Sequence, residues 1–236
     1  MLLCYYPDIN NQSGAFCWLA NIEKGTVGKV IDTRKAEAFM TTSTGYVDPR
    51  VKRTRQLLQN AFLELLQEKR FEALSIQDIT ARATVNRGTF YAHFPDKFTL
   101  LDAVIREQFQ QAVERHLSSA SRLGRPTLRL LIQTVFEYFS EIYQRCPPSE
   151  TMKPFLEQAV QEELTGLLLA WLKQERVSRR VPVETMGVMV SWAILGVVAQ
   201  WMEGTNTISA DQMVDQALIV ITEGMERLTP DAFQHS

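Results

Sequence analysis

The chain of 236 residues is poor in the side chains from which catalytic and metal sites are built. It contains only three histidines and three cysteines, and the cysteines show no metal-ligand spacing. No histidine stands near a cysteine or a carboxylate pair at nucleophile or metal spacing, and no glycine-rich phosphate loop occurs. An odd number of cysteines without a disulfide framework fits a reducing cytoplasm. The sequence therefore predicts a cytoplasmic protein that is not an enzyme and binds no metal or cofactor.

Long apolar runs and targeting signals are also missing. No apolar run reaches the roughly 20 residues that cross a bilayer. The N-terminus lacks the basic segment and apolar stretch of a secretory signal. Hydrophobic residues make up 45% of the chain and charged residues 22%, which is typical of a soluble globular protein. We therefore expect no membrane partner.

Helical periodicity runs through most of the chain, without strand alternation or an internal repeat. We therefore predict an all-α fold. The breaks between the periodic stretches are the loop 68–73, the RLGRP segment 122–126, the proline loop 146–148, the basic loop 176–180 and the segment 203–206. The predicted long helices span residues 50–67, 98–119, 127–144, 152–175, 183–202 and 210–228.

A helix-turn-helix is predicted between residues 75 and 97. Ser75 followed by Asp78 has the spacing of a capping box, which begins a helix by satisfying its free N–H groups. Asn86 is a favourable N-cap for a second short helix. Two capped helices joined by a turn of three or four residues form this motif. The polar side of the second helix is then available to a ligand.

Positive charge is concentrated around this motif. The segment from Val47 to Lys97 holds nine Lys or Arg and six Asp or Glu, a local charge of +3 in a chain of net charge −2. Such a basic module attracts DNA phosphates. Chance variation of surface charge is the alternative. The first helix begins with Arg50, Lys52, Arg53 and Arg55, which either form a solvated face or contact phosphates and a groove as an N-terminal arm.

The residues near the start of the second short helix have the chemistry of base recognition. Arg87 can bond a guanine through two donors, and Thr89 offers a hydroxyl and a methyl group. Gly88, which is costly inside a helix, suits a close approach of the backbone. His93 and Lys97 lie at the edge of this helix, where phosphate contact is the natural role. In the alternative interpretation His93 packs against the first helix, and Tyr91 can be partly buried while its hydroxyl bonds DNA. The candidate DNA contacts are Ser75, Gln77, Asn86, Arg87, Gly88, Thr89, Tyr91, His93, Lys97, Lys52 and Arg53.

Three motifs follow one another in one register: S-x-x-D-I, V-x-x-G-T-x-Y-x-H-F-x-x-K and L-L-x-A-V. With the helix before them, they make the segment from about Arg50 to Val104 resemble the DNA-binding domain of the TetR family of transcriptional repressors. Thr84 and the pair Arg70-Phe71 stand where that family usually has a turn glycine and a glycine-aromatic pair. We expect the turn geometry to depart from the family first at Thr84. The matching residues are Ser75, Asp78, Ile79, Val85, Gly88, Thr89, Phe90, Tyr91, His93, Phe94, Lys97, Leu100, Leu101, Ala103 and Val104.

The resemblance implies a homodimer that binds a near-palindromic operator as a repressor, and a C-terminal bundle that dimerises and often binds a small effector. The end of the chain is loosely similar to the DhaS-like branch. The expected domains are a helix-turn-helix domain at 47–97, a linker helix at 98–123 and a regulatory and dimerisation domain at 124–230. Residues 1–46 are expected to be a disordered or over-extended N-terminal segment, since Met40 resembles a natural start.

Two sets of apolar residues are candidates for the functions of the bundle. A mostly apolar effector could lie among aromatic residues, although aromatic residues at helical spacing are more often core. The candidate effector contacts are Phe136, Phe139, Tyr143, Phe155, Trp171 and Trp192. The candidate dimer contacts, with Gly187 and Gly196 permitting close approach, are Trp192, Leu195, Val198, Ala199, Met202, Met213, Ala217, Ile221 and Met225.

Two other functions compete with that of a specific regulator. An architectural DNA-binding protein would share the motif but bind double-stranded DNA with little sequence preference and without an effector. A helical protein-interaction bundle would leave Arg87, Tyr91 and Lys97 without a role. The sequence names neither the operator, the regulated genes nor the effector, and it does not separate a repressor from an activator.

Overall fold

The computed structural model describes residues 48–117, 122–175, 181–204 and 208–226. These ranges contain eight α-helices and one short 3-10 turn. No strand occurs in these ranges, so the all-α prediction is confirmed. The 3-10 turn spans Phe71–Ala73. The helices are α1 (Pro49–Glu68), α2 (Ile76–Arg82), α3 (Arg87–His93), α4 (Lys97–His116), α5 (Arg125–Arg145), α6 (Lys153–Leu172), α7 (Val183–Met202) and α8 (Ala210–Glu226).

The helix boundaries follow the predicted ones closely. The bounds of α7 are those predicted, and α1 extends the predicted helix by one residue at each end. Asp96 is the N-cap of α4, so Pro95 lies before that helix and not in its first turn. The predictions for residues 1–47, 118–121, 176–180, 205–206 and 227–230 lie outside the described residues. The proposed division into domains stays a prediction.

Aromatic side chains form the core around the short helices. Phe62 of α1 and Phe90 of α3 are fully buried, as are Phe71 and Phe94, which lie just outside helices. The rings of Phe62 and Phe71 meet edge to face, 6.2 Å between centroids. Since α2 and α3 have only seven residues each, they are far too short to be stable alone. This packing therefore holds α2 and α3 in place.

The helices from α4 to α8 form a bundle. The α4 helix contacts both α5 and α6, α7 packs on α6, and α8 packs on α5 and α7. Arg106 of α4 bonds Glu162 and Glu163 of α6, with guanidinium-to-carboxylate distances of 2.6 and 3.2 Å. On the other side of α4, the side-chain amide of Gln59 donates to Glu107 at 2.6 Å. The α4 helix therefore connects α1 with the bundle.

The outward faces of α7 and α8 correct the predicted dimer contacts. Most of the predicted apolar contacts are buried inside this chain, among them Leu195 and Val198, which are 3% and 0% exposed. Gly187 serves packing within the chain, because a Cβ there would lie 3.2 Å from Leu169. Several apolar or small residues of the two helices are exposed, among polar ones. We call this set the α7–α8 patch: Met189, Trp192, Ala193, Gly196, Ile219 and Val220.

The α7 helix also corrects the statement that no segment could cross a membrane. Its 20 residues have a mean hydropathy of 1.5 in an 18-residue window, enough to span a bilayer by length and composition alone. The core helix of a soluble protein passes the same test, and 39% of this window is buried. The property is therefore weak evidence for a membrane span.

Candidate nucleic-acid interface

Caps determine where the two short helices begin, as predicted. The hydroxyl of Ser75 accepts a hydrogen bond from the N–H of Asp78 at 3.1 Å. The carboxylate of Asp78 accepts in return from the N–H of Ser75 at 2.9 Å, which completes the capping box. At the second helix, the side-chain oxygen of Asn86 accepts from the N–H of Thr89 at 2.7 Å. Local sequence therefore sets both helix starts.

The turn between α2 and α3 contains a strained residue. Thr84 has φ of +55°, and no other non-glycine residue in the described ranges has a positive φ. Its N–H donates to the carbonyl of Ala81, and the N–H of Val85 donates to that of Thr80. This pair of bonds is the Schellman motif, which usually places glycine at this position. Thr84 thus adopts the left-handed conformation that glycine usually supplies in this motif, and the expected departure from the family geometry stays a prediction.

Replacing Thr84 with glycine is therefore expected to stabilise the protein. A side chain in the left-handed region costs about 1–2 kcal/mol, which is offset in part by the greater freedom of glycine in the unfolded chain. We expect the Thr84→Gly variant to melt a few degrees higher, since about 1 kcal/mol corresponds to roughly 2–4 °C for this size. Thr84→Ala is the control, because it keeps the Cβ and should show no such gain. Equal melting temperatures for the two variants would show that the backbone at position 84 is not strained.

The other departure from the family pattern causes no strain. Arg70 has φ of −62° and ψ of 147°, an extended conformation that any residue adopts. Phe71 is buried, as expected from its aromatic character. Glycine is therefore not needed at position 70.

Ion pairs fasten α2 to α1. Arg82 donates to both carboxylate oxygens of Glu68, at 2.8 and 2.9 Å, and this bond holds the pKa of Glu68 below its usual range. Lys69 lies 2.9 Å from Asp78. The N–H of Ser75, with Lys69 in support, holds the pKa of Asp78 far below its usual range. Two of the nine basic residues counted in the sequence are therefore occupied by acids.

The exposed surface of α3 carries the candidate base contacts. Arg87 and Tyr91 are exposed, and the guanidinium of Arg87 donates to the Tyr91 hydroxyl at 3.1 Å. The hydroxyl of Thr89 donates to the Asn86 side chain at 3.0 Å, so both side chains are engaged in the cap. A Cβ at Gly88 would lie 3.2 Å from that same Asn86 oxygen. Glycine there leaves room for the cap, a role that the sequence did not indicate.

Lys97 differs most from its predicted role as a phosphate contact. Its ammonium group donates to the backbone carbonyls of Phe71, Glu72 and Leu74, at 3.0, 3.3 and 2.9 Å. An ammonium group has three donors, so all of them are used within the protein. The predicted phosphate contact is therefore corrected to an internal one. His93 is half-buried, and its ring lies 6.5 Å from that of Phe94.

The remaining candidates are exposed side chains on two other helices. Lys52 and Arg53 are exposed in the first turns of α1. Ser75 and Gln77 are exposed at the start of α2, where Ser75 serves as the cap. The guanidinium group of Arg55, in the same basic start of α1, lies over the ring of Phe94, 4.5 Å from its centroid. The basic start of α1 is therefore anchored on the same aromatic core as α3.

The six aromatic residues predicted to bind an effector lie in different surroundings. Phe136 and Phe139 are buried core residues, and Trp171 is 7% exposed. Trp192 belongs to the outward α7–α8 patch, and Phe155 stacks on Phe98 of α4. Tyr143 is half-buried, and its pKa is raised by burial. None of the six lines either of the two pockets along α4, and the effector site that they were predicted to form stays a prediction.

Two pockets lie along α4. An open groove of about 520 Å³ is lined by Gln108, Gln111, Glu114, Arg115, Glu141 and Arg145. A smaller pocket of about 110 Å³ lies between α4 and α6 and has an apolar floor. The smaller pocket is lined by Phe109, Gln110, Val113, Glu114, Glu163 and Leu167.

Known proteins share this arrangement. The family model described as bacterial regulatory proteins, tetR family, matches residues 60–104, from the middle of α1 into α4. Over 76 residues the chain is 41% identical to the uncharacterized HTH-type transcriptional regulator YxbF of Bacillus subtilis (strain 168), covering 32% of this chain and 20% of that protein. Both matches support a TetR-family regulator of transcription. The matched residues contain both short capped helices, within the all-α fold of the described residues.

Other TetR-family similarities are more distant. The chain is 29% identical over 122 residues to the Transposon Tn10 TetC protein of Escherichia coli, covering 49% of this chain and 61% of that protein. It therefore covers less than two thirds of the length of either curated relative. The TetR transcriptional regulator from Streptococcus agalactiae 2603V, 18% identical, shares the fold with a TM-score of 0.50 over 74% of this chain and 96% of that one. No catalytic family is indicated among these matches. The resemblance to the DhaS-like branch stays a prediction.

Proposed function

We propose that this TetR-family protein is a homodimeric repressor that reads a near-palindromic operator and leaves it when a small effector binds. The observation that carries the proposal is the exposed pair Arg87 and Tyr91 at the start of a capped helix. The N-terminal residues of the second helix of such a motif contact base edges in the major groove. Arg87 supplies the base contact, and Lys52 and Arg53 supply phosphate contacts.

Arg87→Ala tests the base contact. We expect it to weaken binding to the cognate site by about 1–3 kcal/mol and to relax the preference at one base position, because a bidentate contact to guanine is lost. Lys52→Ala is the comparison variant. It should weaken binding to all DNA alike and reduce the slope of log K against log salt by about one. Titrations on specific and unrelated duplexes measure both effects, and equal losses on both duplexes in both variants would contradict the assigned roles.

The second copy of the chain is proposed to bind the α7–α8 patch. Met189 and Val220 are 65% and 73% exposed, which is unusual for large apolar side chains on two adjacent helices. A Cβ at Gly196 would meet no atom within 4 Å, so this glycine faces outward and lets a partner helix approach. Two copies related by a two-fold axis would present two recognition helices to half-sites about 34 Å apart.

Selection of bound sequences from a random DNA pool tests the function itself. A recovered palindrome with half-sites about one helical turn apart is the expected result. Recovery of no common sequence, with comparable affinity for every duplex, would favour the alternative of an architectural DNA-binding protein. The basic start of α1 and the exposed α3 surface are compatible with that alternative, so the experiment decides between them.

The effector site is proposed to be the pocket between α4 and α6. Its floor is formed by Phe109, Val113 and Leu167, which suits a mostly apolar ligand. Its volume of about 110 Å³ is well below the roughly 300–1,000 Å³ typical of sites for drug-sized molecules. A larger effector must therefore separate the two helices and break the 2.9 Å bond from Gln110 to Glu163. That movement would reach the DNA-binding helices through α4.

A further inference from the structure

The 3-10 turn Phe71–Ala73 and the following Leu74 are bonded to α4. We call these four residues the 71–74 turn. Lys97, at the start of α4, donates to three of the four backbone carbonyls of this turn. The ammonium group also lies over the Phe71 ring, 4.6 Å from its centroid. Since Ser75 caps α2 immediately after the turn, the position of the turn sets where α2 begins.

The loop between α5 and α6, which belongs to the bundle, also bonds to the 71–74 turn. The hydroxyl of Ser149 donates to the carboxylate of Glu72 at 2.5 Å, across 77 residues of sequence. This bond, with a smaller contribution from Thr151, holds the pKa of Glu72 below its usual range. The thiol of Cys146, in the same loop, donates to the carbonyl of Leu66 in the last turn of α1 at 3.2 Å.

An aromatic stack makes a further contact between the bundle and the turn. Phe155 of α6 stacks on Phe98 of α4 with 5.3 Å between ring centroids. Phe98 meets Phe71 edge to face at 5.2 Å. The 71–74 turn is therefore contacted by α4, by the α5–α6 loop and, through Phe98, by α6.

We propose that the 71–74 turn couples the bundle to the recognition helix, with Ser149 and Glu72 as positioning residues for DNA binding. The inference rests on the proposed function, since it concerns affinity for an operator. Neither residue belongs to α2 or α3, and neither is a proposed DNA contact. Their bond restrains the orientation in which the bundle holds α2 and α3. Because a dimer must match two half-sites at once, a looser orientation lowers specific affinity while non-specific affinity stays nearly unchanged.

A double-mutant cycle on Ser149→Ala and Glu72→Ala tests the coupling. The probes are the sequence recovered from the random pool and an unrelated duplex of equal length. Ser149→Ala changes no charge, and we expect it to raise the operator Kd about fivefold, the lower end of typical coupling between sites. Its Kd for unrelated DNA should change less than twofold. The double variant should bind the operator no more weakly than Glu72→Ala alone, because Glu72→Ala already removes the bond between Ser149 and Glu72.

Glu150→Ala is the matched control for the charge of Glu72. Glu150 lies in the same loop as Ser149, and its carboxylate lies 2.6 Å from the ammonium group of Lys153, the first residue of α6. Removing it should not change the ratio of operator to unrelated affinity. An operator Kd of Ser149→Ala within twofold of the unmodified protein would overturn the proposal, as would a tighter Kd or an equal loss on both duplexes. If the unmodified protein itself shows no preferred sequence, the proposed function fails instead.

Discussion

The Val220→Glu variant is expected to be a monomer that no longer holds its operator. Val220 is 73% exposed within one chain, so the substitution should leave the protomer folded. In a dimer formed through the α7–α8 patch, the new carboxylate would be buried without a partner, which costs about 3–5 kcal/mol. Each 1.4 kcal/mol is a factor of ten, so the dimer dissociation constant should rise by about two orders of magnitude or more. Sedimentation at micromolar concentration measures the change directly.

Loss of the dimer should also lower the affinity for the operator. A monomer reads only one half-site, so its affinity for the palindrome should approach its affinity for unrelated DNA. Gln144→Glu is the control, because it adds the same charge at an exposed position at the end of α5, away from the patch. The control should remain dimeric and bind normally. A Val220→Glu protein that still sediments as a dimer would place the interface elsewhere.

The Phe90→Ala variant is expected to unfold the DNA-binding helices. Phe90 is fully buried and lies 6.0 Å from Phe94, ring centroid to ring centroid. Removing a buried phenylalanine side chain costs about 3–5 kcal/mol. The seven-residue helices α2 and α3 depend on this packing, so residues 71–97 should lose protection from hydrogen exchange. Specific DNA binding should be lost with them.

Phe90→Leu is the matched control for this prediction. It keeps the site apolar and most of its volume, so the loss should stay below about 1.5 kcal/mol. Hydrogen exchange in α7 and α8 should be similar in both variants, since these helices pack on each other and on α5 and α6. Equal protection of residues 71–97 in the Ala and Leu variants would show that Phe90 is not essential to this core.

Local patterns were sufficient for much of the DNA-binding element. The capping box of Ser75 and the cap of Asn86 depend on residues three positions apart, so their bonds follow from spacing alone. The glycine-type turn at Thr84 did not follow from residue type, because threonine disfavours a positive φ. Packing on both sides of the turn overrides that preference.

Side chains whose partners lie far along the chain were beyond sequence reasoning. Lys97 bonds carbonyls 23 to 26 residues earlier, and Ser149 bonds a carboxylate 77 residues earlier. Neither contact has a periodic signature. The sequence also did not show which face of α7 points outward. This helix is apolar on all sides, so its periodicity does not distinguish core from interface.

By itself, the sequence determined the all-α fold, the helix-turn-helix and the basic, polar surface of the recognition helix. These depend on helical periodicity and caps, which are written in neighbouring residues. The tertiary structure alone decided that Lys97 binds backbone carbonyls, which faces of α7 and α8 remain outside, and that the bundle touches the 71–74 turn. These depend on which helices meet in space, and burial of the same apolar residues is compatible with more than one such arrangement until the chain is packed.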